Sequence, residues 1–211
     1  MSLTLPTSYF APISQYALIA AIDEYLIEAK EHYVKQTYRN RFEIYGPNGL
    51  LSLSIPIKKW KKHSPIDKID ISFDENWQNL HWKSIESAYR ASPFFEFYEE
   101  EIKPLVFLKE NNLLTRNQLI EKRIKKMIGL YSKVGLTKTY EPIETDWRTI
   151  LNPKNKPNME SFRFSKYIQV FDDKHGFLSN LSILDLLFNL GPECKTYLIQ
   201  LNQSIKNGGE N

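Results

Sequence analysis

The chain has 211 residues, of which 42% are hydrophobic and 13% aromatic, too rich in large apolar side chains for intrinsic disorder and long enough for one sizeable core. Its 28 lysines and arginines against 25 acids give a net charge of +3, which makes no electrostatic case for a specific nucleic-acid binder. The single cysteine, Cys194, excludes an intrachain disulfide framework and a multi-cysteine zinc site and fits a reducing, cytoplasmic setting.

No run approaches the about 20 apolar residues of a membrane-spanning helix, and the first residues carry neither a basic region nor an apolar signal core. Residues 3–10 predict a short strand. Pro12 then opens a helix with Tyr16, Ala17, Ile19 and Ala20 as its apolar stripe. The unbroken apolar run Tyr25-Leu26-Ile27 within 24–29 suits a strand covered on both faces, as in a parallel sheet. Residues 39–57 predict a β-hairpin, because Phe42 and Ile44 alternate with polar residues before Gly46-Pro47-Asn48-Gly49, and Leu51, Leu53, Ile55 and Ile57 alternate after it. Ile69, Ile71 and Phe73 predict a further half-buried strand.

At Asp74 the period changes from 2 to 3.6. Trp77, Leu80, His81, Ser84, Ile85 and Ala88 share one face of a helix that ends near Ser92-Pro93. A second helix starts near Pro93, with Pro104 as a possible kink. A third spans 113–130, with Leu119, Ile120, Ile124, Met127 and Ile128 inward and Arg116, Lys122, Arg123, Lys125 and Lys126 mostly outward. Residues 152–161 read as an irregular loop and 167–171 as a late strand. Residues 181–190 form a very apolar helix stopped by Gly191, with Pro192 able to open another, and 203–211 read as a flexible tail. The sum is an α/β fold: a single domain over 1–202, with a mixed central sheet, an antiparallel hairpin and packed helices.

The sequence has no G-x-G-x-x-G after a strand, no phosphate loop, no H-E-x-x-H and no G-x-S-x-G. No cofactor is implied, and four scattered histidines offer no local metal pair. The polar segment from Glu31 to Arg41 follows a buried-type strand and reads as a ligand-binding edge. Strand alternation turns Tyr38 and Asn40 toward the core, where Asn40 must find hydrogen bonds, and turns Arg39 and Arg41 the other way. Two such guanidiniums suit a phosphate or carboxylate, although solvated strand arginines and one structural asparagine fit the same spacing. His81 is the best general-base candidate, and a satisfied core histidine is the plainer reading of a lone imidazole on an apolar face. Asp185, inside an apolar run, must have a donor, and either caps structure or orients a catalytic group. The basic run 58–63 reads as a solvated loop and Cys194 as buried filler.

Several segments, taken in order, resemble the WbqC-like protein family. They are Ser8-Tyr9-Phe10-Ala11-Pro12, the stretch from Tyr33 to Arg41, Gly46-Pro47-Asn48-Gly49, then Trp77, His81, Tyr89 and Ser92-Pro93-Phe94-Phe95. Tyr167-Ile168-Gln169-Val170-Phe171, His175-Gly176-Phe177 and the run from Asn180 to Asn189 complete the set. Thr7-Ser8-Tyr9 stand where many relatives read Gln-Pro, so no glutamine role carries over there.

The resemblance implies a part in bacterial surface-polysaccharide (O-antigen) biosynthesis. It implies an acyl or aminoacyl transferase, glycyl transfer included, acting on an amino sugar carried on a nucleotide or a lipid. On this reading His81 and Asp185 are catalytic, and Tyr33, Lys35, Arg39, Asn40, Arg41, Tyr89 and Gln169 bind substrate in one shared cleft. The alternatives are a non-catalytic binder of sugar nucleotides or anions, and an assembly factor for polysaccharide enzymes. The oligomeric state, a homo-oligomer included, stays open.

Overall fold

The computed structural model describes residues 3–141, 146–154 and 162–206. Strand β1 (Leu3–Pro6), helix α1 (Ile13–Ala20) and strand β2 (Glu24–Glu28) make a parallel β-α-β unit in which Leu5 pairs with Ile27. Strand β5 (Lys133–Leu136) adds to the far side of β2, giving a parallel sheet of order β1-β2-β5. No apolar alternation announces β5, because Val134 and Leu136 are exposed. Its Gly135 lies so close to Leu26 that a Cβ would come within 2.9 Å of Leu26 Cδ2.

The hairpin is present as strands β3 (Arg41–Gly46) and β4 (Gly49–Ser54), which form a two-stranded sheet of their own among the described residues. Phe42 and Ile44 enter the main core while Glu43 and Tyr45 on the other face are also covered. The 69–73 segment departs from expectation. Ile69 and Ile71 are fully buried, but a 3-10 turn precedes them and only isolated bridges, Ile57 to Ile71 and Asp70 to Asn112, replace a ladder.

Helices α2 (Trp77–Tyr89), α3 (Phe95–Val106) and α4 (Leu113–Ile128) occupy the expected stretches, but Leu80, expected on the apolar face of α2, is exposed and Trp82 is buried instead. Asn112 caps α4 by accepting from Thr115 N–H at 3.0 Å, and Gly129 closes it in the left-handed region. Two cations on α4 expected to face water are buried. Arg116 is wholly enclosed, donating to the carbonyls of Leu105 at 3.0 Å, Val106 at 2.9 Å and Leu108, the electron-rich end of α3. Lys125 donates to Tyr25 Oη at 3.2 Å and Ser132 O at 2.5 Å. Leu119 is exposed instead.

After the short helices α5 (Trp147–Ile150) and α6 (Asp172–His175), α7 (Ile183–Leu190) is buried throughout except at its end, and α8 (Cys194–Lys206) packs on α1. The Gly191 stop is required, since a Cβ there would lie 2.6 Å from the Phe94 ring. Residues 203–206 of the expected tail continue α8, while 207–211 lie outside the described residues, as does most of the 152–161 loop. The expected strand at 167–171 is irregular chain. Gln169 Oε1 accepts from Leu178 N–H and its Nε2 donates to Leu178 O, both at 2.9 Å, so a side chain takes the place of a neighbouring strand.

The two ends of the chain are stitched together. Ile13 N–H donates to Leu181 O, Ile183 N–H to Ala11 O, Ser182 Oγ to Phe10 O and Ser14 N–H to Asn180 Oδ1, all at 2.9 Å. Cys194 is buried, its Sγ 3.3 Å from Leu186 O, and burial pushes the thiol up to about 12. No helix among the described residues is long and apolar enough to cross a membrane.

Candidate ligand-binding cleft

In an open α/β sheet the carboxyl ends of parallel strands leave a crevice between the connections that depart from them, and ligands gather there. Lys30, Glu31 and His32 follow directly on β2, and with Thr37 and Arg39 they form one wall of a cleft of about 530 Å³. Tyr140, Asp146, Arg148 and Asn152, from the chain after β5, form the other wall. The volume is that of a small-molecule site.

Charge on these walls is paired. Glu28, the last residue of β2 and 1% exposed, accepts from Thr137 Oγ1 at 2.6 Å and Lys30 N–H at 2.8 Å through Oε1, and from Arg148 Nη1 at 3.1 Å through Oε2. The same guanidinium clasps Asp146 through Nε at 2.6 Å and Nη2 at 3.0 Å, and lies 4.7 Å from the Tyr140 ring centre. Burial alone would lower the Arg148 pKa, but Asp146, Tyr140 and Glu28 outweigh it and hold it above its ordinary value. Arg39 grips Glu31 in a two-pronged pair, Nε to Oε1 at 2.7 Å and Nη2 to Oε2 at 2.5 Å. Lys30 Nζ reaches Asp67 at 2.6 Å. Hydrogen-bonding groups of both signs therefore face one crevice, which suits a ligand rich in hydroxyls and carrying groups of both charges.

The expected site residues fall in different places. Arg39 lines the cleft, but it is buried against Glu31 rather than turned outward, because the chain before β3 departs from strand alternation. Arg41 is half-buried, with Nε 3.4 Å from Ser54 Oγ. Asn40 is buried as expected, its Nδ2 donating to Ile55 O at 2.9 Å. Tyr33 meets Trp60 edge-on at 5.2 Å, and exposed Lys35 sits over the same ring at 4.7 Å. The lysines of the basic run 58–63 are exposed around that tryptophan.

His81 lies apart, only 1% exposed, among the rings of Tyr9, Phe42 and Trp77, with Nδ1 3.2 Å from Tyr9 Oη. Burial lowers its pKa to about 4, with Arg116 adding to the effect and the Ser54 backbone opposing it, so the imidazole is neutral at pH 7. Tyr89, Gln169 and Asp185 do converge, in a second enclosed cluster. Asp185 Oδ2 accepts from Tyr167 Oη at 2.5 Å and Gln169 Nε2 at 2.8 Å, and Tyr89 Oη takes the Tyr45 N–H at 3.3 Å beside it. Burial raises the Asp185 pKa to about 6 against the hydrogen bonds that favour its charge. The single shared cleft expected from the sequence is thus divided: Arg39 lines the crevice, Tyr33 and Lys35 meet at Trp60, His81 sits in its aromatic enclosure, and Gln169 and Tyr89 join the carboxylate cluster of Asp185.

Residues not singled out as binders from the sequence include Glu28, which pairs with the cleft residue Arg148, and the lining residues Glu31, His32, Tyr140, Asp146, Arg148 and Asn152. A signal existed for the first three: polar side chains at the very end of a strand read as parallel are where the crevice must open. Nothing local marked the rest, because β5 itself was not legible.

Residues 7–160 match the WbqC-like protein family. The uncharacterized protein Rv1507c of Mycobacterium tuberculosis (strain ATCC 25618 / H37Rv) is 26% identical over 211 aligned positions, which cover 87% of this chain and 90% of that protein. No solved structure matches the chain. With well over half its length matched, the chain belongs to the WbqC-like protein family.

Proposed function

We propose that this member of the WbqC-like family is a cytoplasmic transferase of bacterial surface-polysaccharide biosynthesis. It moves an acyl or aminoacyl group, glycyl included, onto an amino sugar carried on a nucleotide or a lipid. The observation that supports it best is the crevice at the carboxyl ends of β2 and β5, whose paired arginines and carboxylates offer both donors and acceptors to a polyhydroxylated, charged substrate. In this reading His32, exposed on the cleft wall, takes the proton role first sought in the enclosed His81. The substrate amine attacks the donor carbonyl and its proton passes to the His32 imidazole. The new C–N bond forms as the donor's leaving group departs with its electron pair and recovers that proton. Asp185 then serves to hold Tyr167 and Gln169 in place rather than to meet substrate.

One observation favours a second reading, a non-catalytic binder of sugar nucleotides: the cations of the cleft wall are already engaged by carboxylates. Mass spectrometry of nucleotide-linked amino sugars incubated with the protein and acyl or aminoacyl donors separates the two. A protein-dependent gain of one acyl residue, lost in His32→Gln, is expected. Bound sugar nucleotide with no mass change across the donor set would establish the binder instead.

A further inference from the structure

Among the described residues five carboxylates are buried, and four have strong partners. Glu28 and Glu31 hold arginines, Glu121 lies beside Lys125 and takes the Tyr25 hydroxyl, and Asp185 receives donors at 2.5 and 2.8 Å. Glu43, 8% exposed, differs. Its partners are two neutral hydroxyls at the outer edge of hydrogen-bonding distance, Ser52 Oγ at 3.3 Å and Tyr38 Oη at 3.4 Å. Among the described residues it forms no ion pair. Arg41, two positions earlier on the same face of β3, bonds Ser54 across the hairpin instead.

Burying a carboxylate without a cation or short donors is costly unless something else supplies them. Glu43 does not face solid protein. It lines a second cavity of about 220 Å³, with Tyr38, Leu50, Phe177 and the amide of Asn152 around it. An ammonium group brings three donors and a positive charge to such a carboxylate, and aromatic neighbours favour a cation further. The cavity also adjoins the main cleft, since Asn152 lines both and Tyr38 immediately precedes the cleft residue Arg39.

We infer that the Glu43 cavity is a recognition pocket for a primary ammonium group, whose bearer extends past Asn152 into the larger cleft. This deepens the transferase reading by naming the part of the substrate that carries the amine, and it rests on that reading only for the identity of the body attached. Glu43 binds and orients the amine before it loses its proton.

The test uses the full chain with two probes, glucosamine and N-acetylglucosamine, compared by ligand-observed NMR titration near neutral pH. They differ in whether the nitrogen is a cation, so glucosamine should bind at least tenfold more tightly. Glu43→Gln keeps the hydroxyl contacts and removes the charge, and should abolish that preference. Leu50→Trp, at an exposed position on the cavity rim, should weaken glucosamine at least fivefold while leaving the fold intact by circular dichroism. Equal binding of the two sugars, undetectable glucosamine binding, or an undiminished preference in Glu43→Gln would overturn the pocket. A failed transfer screen with the amine preference intact would overturn catalysis and leave the pocket standing. Transfer without any amine preference would do the reverse.

Discussion

The cleft and the two enclosed clusters both hold buried ionisable side chains and treat them in opposite ways. Around Glu28, Arg148 and Asp146, or Glu31 and Arg39, each charge meets its opposite within hydrogen-bonding distance. Among the described residues neither His81 nor Asp185 has an ion-pair partner, and burial drives each pKa toward the neutral form. Charge meets its opposite along the cleft and is disfavoured by burial at His81 and Asp185. That contrast is the physical ground for moving the candidate chemistry from His81 to the cleft.

The largest effect should come from breaking a cleft pair. Arg148→Met strands Glu28, at 1% exposure, without its cation, and should lower unfolding free energy in a urea titration by about 3–5 kcal/mol. Adding Glu28→Gln should recover part of the loss. A single-variant cost below about 1 kcal/mol would mean the pair is not truly enclosed.

The enclosed clusters should reveal themselves through pH. The folded pKa of Asp185, about 6 against an ordinary 3.8, means the native state binds the proton first, so this group costs stability at neutral pH and restores it as pH falls from about 6 to 4. His81, at about 4 against 6.5, has the opposite sign: the unfolded chain binds the proton first, and stability is lost as pH falls from about 6.5 to 4. Each is worth roughly 3 kcal/mol across its window at 1.36 kcal/mol per pKa unit, so in the wild type they largely offset each other. Asp185→Asn should therefore be more acid-sensitive than wild type between pH 6.5 and 4, and His81→Gln less so. Parallel stability profiles for all three proteins would refute both assignments.

The smallest effect belongs to exposed Lys35 over the half-buried Trp60 ring. Lys35→Ala removes only a solvent-facing cation from the Trp60 ring and should change thermal stability by less than about 1 kcal/mol. A larger loss would show that this edge is part of the packed structure.

Much of the fold was legible because its period was. The hairpin, α2, the helix after Pro93 and α7 all follow from apolar spacing and turn residues. Illegible were the elements defined by partners distant in sequence. Strand β5 exposes its own apolar residues and exists by pairing with β2, and Arg116 and Lys125 are buried because carbonyls and a tyrosine wait for them. The site was half legible for the same reason: the segment after β2 could be read as a binding edge, whereas the opposing wall depends on where β5 places Asp146 and Arg148.

The stitching of residues 10–14 to 180–183 bears on how the molecule comes into being. Those bonds join positions about 170 residues apart, and α1 also rests against α8. Contacts of such separation must wait for closure of a loop that contains nearly the whole chain, which slows folding. During synthesis α1 has no seat until α7 and α8 have left the ribosome, so the nascent chain holds this helix, apolar on nearly every side, uncovered until those two helices have been made. Successful production of this protein therefore depends on keeping that early segment from associating with other chains while α7 and α8 are still being made.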